Sequence, residues 1–288
     1  MPKLTHHRIQ FRRQFSNGLA LGAVTLAAVV VTVPLFVILG TVVYRGISEL
    51  NWSFLTQIPR PIGEIGGGMA NAIVGSVMIL LLASVIGIPL GIGSGVFLAE
   101  YGRNAYGNIV RFTADVLNGV PSIVIGMTAY ALVVVAQRHF SMLAGGIALG
   151  IMMIPTICRT TEEVLLLVPQ AIREAALGLG IPHWRTTLSV VLPSAKSGII
   201  TSIMLAFARI AGETAPLMFT TLGNQYWNIK PGQPTAALSL QIYEYAKQPY
   251  EQAHRQAWAG ALVLIGMIVI TVLSVRFITS RGKLKGAS

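Results

Sequence analysis

The sequence lacks most of what a soluble enzyme is built from. Only 11% of its 288 residues are charged, against about 25% in an average soluble domain. With a single cysteine, Cys158, the chain cannot form an intramolecular disulfide framework. The sequence has no G-x-x-x-x-G-K-S/T loop to cradle nucleotide phosphates, no G-x-S-x-G nucleophile elbow and no dinucleotide fingerprint. Its five histidines have no metal-ligand spacing. We therefore expect neither an enzyme nor a metal site.

Long apolar runs take the place of these features, since 53% of the residues are hydrophobic. A bilayer core needs about 20 mainly apolar residues per helix. Six runs near that length lie at about 19–43, 72–99, 113–136, 142–158, 198–222 and 258–278. The first run is longer than the roughly 7–15 apolar residues of a secretory signal, so we expect a retained span. The pattern predicts an all-α polytopic membrane protein with six transmembrane helices.

Lysine and arginine are concentrated in alternate connections between these runs. Fourteen of the 21 fall in the terminal regions and in the connections after the second and fourth spans, and six fall in the other connections. Because positively charged loops remain on the cytoplasmic side, both termini are predicted to be cytoplasmic. The predicted regions are a basic tail (1–18), a transmembrane domain (19–279) with a cytoplasmic segment (159–197) and outward loops (44–71 and 223–257), and a second basic tail (280–288).

The cytoplasmic connection after the fourth span has the helix-starting and helix-ending residues of a helical hairpin. Pro169 is suited to the first position of a helix, and Gly178 and Gly180 can end that helix through a left-handed cap. Pro182 can then start a second helix, which we expect Pro193 to end before the fifth span. Two short helices are more than a simple connector requires.

Seven residues of this segment follow a spacing known from one protein family: Glu174-Ala175-Ala176, Gly180, Val190 and Leu192-Pro193. The pattern resembles the EAA signature of ABC importer permeases, with Val190 in place of isoleucine. The resemblance implies the type I ABC importer permease fold, in which this segment is the coupling helix. It also implies that Glu174, Ala175, Ala176 and Gly180 contact a separate ATP-hydrolysing subunit. An ordinary interfacial helical hairpin is the structural alternative.

The fifth apolar run contains two charges, Arg209 and Glu213, four residues apart. A charge at mid-membrane costs at least about 2.5–3.5 kcal/mol, so both must face protein, water or each other. Because they are four residues apart, we expect their side chains to project from one helix face. They are therefore either a self-neutralised structural pair or the lining of a transport path. In a path, Arg209 would offer its planar fork to an oxyanion.

The stretch ARIAGETAPL around this pair resembles the phosphate-importer members of the permease family, and the similarity runs through most of the chain. It implies a permease subunit in a bacterial inner membrane that forms half of the path for inorganic phosphate. Arg159, Arg209 and Glu213 correspond to residues implicated in phosphate passage. The implied partners are a second homologous permease, an ATPase dimer that binds ATP and Mg²⁺, and an external phosphate-binding protein. This chain itself would bind no cofactor.

Three other functions stay open on the residues alone. The Arg209–Glu213 pair does not exclude another oxyanion, such as molybdate or sulfate. A stand-alone ion-coupled transporter is a second alternative, although such proteins commonly show inverted repeats with broken helices in both halves. A non-transporting scaffold is the third.

Two local patterns concern packing and bending. Gly87, Gly91 and Gly95 recur every four residues in the second run, a small-xxx-small face that predicts close contact with another helix. The run Gly119-Val120-Pro121-Ser122 in the third span resembles the permease family's pattern there, and the resemblance implies a bend near the transport path.

Overall fold

The computed structural model describes residues 3–61, 64 and 66–284, and in this part of the chain it is helical without any strand. Its α-helices are α1 (Lys3–Gly46), α2 (Trp52–Thr56), α3 (Ala70–Glu100), α4 (Ala105–Gly119), α5 (Ser122–Ala129), α6 (Val135–Gln137), α7 (Met142–Leu166), α8 (Gln170–Gly178), α9 (His183–Thr186), α10 (Leu192–Ala211), α11 (Ala215–Thr220), α12 (Leu238–Ala246) and α13 (Glu251–Leu284). Two π-helical segments, Tyr130–Val134 and Thr187–Val191, interrupt the series. The all-α prediction is confirmed.

Five helical stretches are long and apolar enough to cross a membrane: Ser16–Gly46, Ala70–Glu100, Met142–Leu166, His183–Ala211 and Glu251–Thr279. A sixth span requires α4 to be joined with the helix Ser122–Gln137, although the two are bent by 104°. The first stretch is exposed along nearly its whole length, and its helix packs chiefly on α13. The predicted six-span membrane architecture is thus observed with one span broken.

The break in the third span lies at the predicted bend. Val120 is extended (φ −69°, ψ 130°), as a residue before proline prefers. Pro121 follows in a similar conformation and has no N–H to continue the helix. The predicted bend is confirmed, and it divides the third span into two helices that meet at 104°.

The fourth and fifth spans differ from prediction at their ends. The helix α7 begins at Met142 as predicted but continues eight residues past Cys158, to Leu166. The helix that starts at His183 does not stop at Pro193, contrary to prediction. A π-helical segment, Thr187–Val191, precedes this proline and accommodates one extra residue in the helix. There the Leu192 N–H donates to the Thr187 carbonyl, five residues back.

The fifth span ends at Ala211 rather than at the predicted residue 222. Three residues follow before α11 begins at Ala215. In an unbroken helix the N–H of residue 216 would bond to the carbonyl of Gly212, but Pro216 has no N–H to donate. The helix is therefore interrupted between Arg209 and Glu213.

The helices α3 and α7 pack together along the predicted glycine face. A Cβ atom at Gly87 would lie 2.8 Å from Met153 Cβ, and at Gly91 it would lie 2.7 Å from Ile157 Cβ. At Gly95 it would lie 2.6 Å from the Cys158 carbonyl oxygen. No side chain fits at these distances, so glycine sets the approach of the two backbones. The packing prediction is confirmed.

The two predicted outward loops contain the short helices α2 and α12. The second loop also supports the start of α7, where the N–H groups of Met142 and Leu143 donate to the carbonyls of Gln233 and Pro231 at 2.9 and 2.8 Å. These bonds satisfy amides that have no partner within the helix. The side of the membrane on which the loops lie stays a prediction.

Candidate functional site

Polar side chains from three helices meet where α4 and α10 pack on α7, and we call this set the polar seam. Its members are Arg111, Asp115 and Asn118 of α4, Thr156, Arg159 and Glu162 of α7, and Arg209 of α10. The spacing of three or four residues on α4 and on α7 places each set on one face of its helix.

A buried carboxylate lies at the centre of the seam. The Glu162 side chain is 4% exposed and accepts from two arginines, Arg111 Nε at 2.6 Å and Arg159 Nη1 at 2.5 Å. Arg159 Nε also contacts Asp115 at 2.9 Å. Because these are two guanidinium groups and two carboxylates, the cluster is neutral as a whole. Arg111 further donates to the carbonyls of Gly102 and Leu98 at 2.9 and 3.0 Å.

Arg209 differs from the other two arginines of the seam. Among the residues that the structure describes, no carboxylate forms an ion pair with it. Within the described residues its side chain makes one hydrogen bond, a long one of 3.4 Å from Nη1 to Thr156 Oγ1. That hydroxyl donates in turn to Asn118 Oδ1 at 3.2 Å. The residue is exposed. Arg209 therefore presents a guanidinium group that neutral side chains orient and no acid neutralises.

The expected pairing of Arg209 with Glu213 is wrong. Because α10 ends at Ala211, the two residues do not share a helix face. Glu213 lies in the break, half-buried, where its carbonyl accepts from the Ser239 hydroxyl at 2.8 Å. Arg159 lies on α7 and Arg209 bonds to Thr156 of the same helix, so the structure brings both to one seam. Among the described residues, no hydrogen bond or ion pair joins Glu213 to that seam. A role for Glu213 in passage stays a prediction.

Sequence reasoning missed five ionic or polar members of the seam on which the site depends: Arg111, Asp115, Asn118, Thr156 and Glu162. One signal was available, because Asp115 is a carboxylate inside a predicted span and must find a partner there. The partner itself could not be read from sequence, since Arg159 lies on a different helix.

The predicted hairpin is present, and Gly180 forms its turn. The N–H groups of Gly180 and Ile181 donate to the carbonyls of Leu177 and Ala176 at 2.9 and 3.2 Å, the two bonds of a Schellman cap. Gly180 has φ +80°, and an added Cβ would meet nothing within 4 Å. Backbone conformation rather than space therefore requires glycine here.

The hairpin presents mixed charged and apolar surface. Glu174 and Ala175 are exposed, whereas Ala176 is buried against the rest of the hairpin. Leu179 and Trp184 are 81% and 60% exposed. Apolar groups this exposed, next to a charged helix, are typical of a surface that another protein covers.

Comparison with known proteins gives a consistent result. Residues 87–282 match the family described as "Binding-protein-dependent transport system inner membrane component". The chain is 44% identical to the phosphate transport system permease protein PstA of Yersinia pestis, over 85% of this chain and 84% of that one. It is equally identical to the protein of that name from Xylella fastidiosa, over 95% of this chain and 96% of that one. For the Methanocaldococcus jannaschii protein named as a probable PstA, identity is 31% over 96% and 97% of the two chains.

Among solved structures, the fold is similar to a chain of the MetNI methionine ABC transporter in an inward-facing conformation. The TM-score is 0.57 at 19% sequence identity, over 74% of this chain and 94% of that chain. At that identity the similarity concerns the fold alone, and it confirms the predicted type I importer permease architecture.

Proposed function

Because the chain belongs to the family of binding-protein-dependent transport system inner membrane components, we propose that it is the membrane-spanning permease subunit of an ATP-driven importer of inorganic phosphate. Relatives that match it over nearly their full length are phosphate permeases. The observation that carries the proposal is the state of Arg209. Its guanidinium group is exposed on a polar seam between helices, and no carboxylate in the described part of the chain pairs with it.

Phosphate binds at Arg209 because a guanidinium group matches an oxyanion in charge and in geometry. The hydroxyl of Thr156 and the amide of Asn118 hold the arginine without neutralising it. Arg159 is already paired with two carboxylates. It therefore serves mainly to keep the seam ordered, and phosphate meets one strong cation rather than several. Because only one cation holds the phosphate, the site binds the anion weakly enough to release it.

The hairpin transmits the conformational change that ATP hydrolysis drives in the ATPase to the transmembrane helices. Its exposed face around Glu174, Ala175, Leu179 and Trp184 docks on an ATPase subunit, which binds ATP and Mg²⁺. Gly180 fixes the angle between the two arms. The complete transporter contains a second, PstC-like permease, a PstB-like ATPase dimer and an external PstS-like phosphate-binding protein. The hairpin and both termini lie on the cytoplasmic side of a bacterial inner membrane, in accordance with the distribution of Lys and Arg.

Uptake by the reconstituted complex tests this function. The assembled transporter in liposomes should import labelled phosphate when ATP and the binding protein are present. A tenfold excess of unlabelled phosphate should suppress uptake, whereas the same excess of sulfate or molybdate should not. ATP-dependent uptake of labelled sulfate or molybdate, with no uptake of labelled phosphate, would assign another oxyanion. Uptake by this chain alone, with no ATPase, would assign a secondary transporter instead.

A further inference from the structure

A second buried ion pair joins the hairpin to the transmembrane helices. Glu100 is the last residue of α3, and its side chain is 3% exposed. It accepts from Arg173 of α8 at 2.9 Å (Nη2) and 3.2 Å (Nε). The Arg173 side chain is 12% exposed. Ion pairs at a solvated surface contribute little to stability, but breaking a pair this buried is strongly destabilising.

Arg173 also holds the end of α7. Its Nη1 donates to the Val168 carbonyl at 2.5 Å and its Nη2 to the Leu165 carbonyl at 2.8 Å. The Leu165 carbonyl lies in the last turn of α7, where it also accepts from the Val168 N–H at 3.2 Å, and the Val168 carbonyl lies just past the end of the helix. At this end the helix dipole favours a cation. One guanidinium group thus connects the hairpin arm α8 to the ends of two transmembrane helices.

The other arm of the hairpin reaches the same place. His183, the first residue of α9, lies with Nε2 3.9 Å from Glu100 and with Nδ1 3.2 Å from the Tyr101 hydroxyl. The two rings stack edge to face at 5.1 Å. Both arms therefore converge on the end of α3, and α8 is bonded there through its arginine.

We propose that Arg173 and Glu100 form a clamp through which movement of the hairpin passes to α3 and α7 as one unit. The inference rests on the proposed function, because it assumes that an ATPase moves the hairpin. The glycine face at Gly91 and Gly95 makes α3 and α7 a tightly packed pair. Since α7 carries Thr156, which holds Arg209, a displacement of α8 is passed through the clamp to the phosphate site. Arg173 and Glu100 are positioning residues and do not touch phosphate.

The number of phosphate ions imported per ATP hydrolysed, measured in liposomes with the assembled transporter, tests the clamp. Glu100→Gln and Arg173→Gln should each lower this ratio roughly tenfold, since each leaves a buried charge without its partner. The exchange Glu100→Arg with Arg173→Glu should recover part of the ratio, but not all, because glutamate cannot donate to the α7 carbonyls. Glu163→Gln is the matched control, an exposed glutamate on α7, and should leave the ratio unchanged.

A purely structural role would lower the amount of assembled complex, ATP hydrolysis and uptake together, and so leave the ratio constant. An unchanged ratio in both single variants would therefore overturn the clamp. A cysteine in place of Ala175, cross-linked to the ATPase in the same preparation, separates this outcome from failure of the proposed function. Capture of the ATPase with an unchanged ratio refutes the clamp alone. Failure of Ala175→Cys to capture any ATPase, in a chain that keeps Glu100 and Arg173, refutes the function on which the clamp rests.

Discussion

Replacing Glu162 by glutamine should destabilise the protein by removing the charge at the centre of the polar seam. Each of its two bonds to arginine is charge-assisted and contributes about 1.5–3 kcal/mol, and removing one member of a buried ion pair costs about 3–5 kcal/mol. Arg111 and Arg159 are 27% and 29% exposed and keep other partners. Glutamine also keeps one acceptor oxygen. The expected loss is therefore at the lower end, about 2–3 kcal/mol.

Thermal unfolding of the purified complex measures this loss. In a chain of this size each kcal/mol lowers the Tm by about 2 °C, so Glu162→Gln should lower it by about 4–6 °C. Glu163→Gln removes the same charge from the next residue, which is exposed, and should shift stability by less than about 0.5 kcal/mol. Equal Tm values for the two variants would show that the seam network does not stabilise the native state.

Two pairs of glycine substitutions test the packing and the hairpin turn. Gly91→Val forces a side chain into α7 and should lower the free energy of unfolding by about 1–3 kcal/mol, measured by thermal unfolding. Gly93→Val should be nearly neutral, because an added Cβ there meets nothing within 4 Å. Equal losses of stability in the two variants would contradict the packing argument. Gly180→Ala strains a left-handed residue and should lower the opening free energy of the hairpin by about 1 kcal/mol, measured by hydrogen exchange of its amides. Gly178→Ala, in a helical position with open space, should raise it by about 0.5–1 kcal/mol; the opposite order would contradict the turn assignment.

The fold could be predicted largely from the length and composition of the apolar runs. Four of the six runs each lie on one long helix, and the third and fifth are divided between helices. A bilayer leaves the backbone no other way to satisfy its polar groups within one segment. The breaks were harder to predict. Proline is tolerated inside membrane helices, so Pro155 within α7 leaves its helix continuous while Pro121 and Pro216 lie at breaks. Hydropathy alone does not distinguish these cases.

The site could be predicted only in part, because its central contacts join residues far apart in sequence. Arg209 and Arg159 were identified from charge and resemblance, and the seam contains both. Glu162 was missed as the carboxylate that pairs with Arg159 and Arg111, since its bond to Arg111 spans 51 residues. The supposed partner Glu213 was assigned by helical spacing, which assumes that the helix continues. Where the helix ends, that spacing no longer places two side chains together.

Phosphate uptake by Arg209 variants of the reconstituted transporter tests the central claim most directly. Arg209→Gln should assemble with its partners as the unmutated chain does and should import no labelled phosphate above background. Arg209→Lys keeps the charge but loses the planar fork, and should import phosphate roughly 10–100-fold more slowly. Wild-type uptake by Arg209→Gln, at equal amounts of assembled complex, would contradict the account.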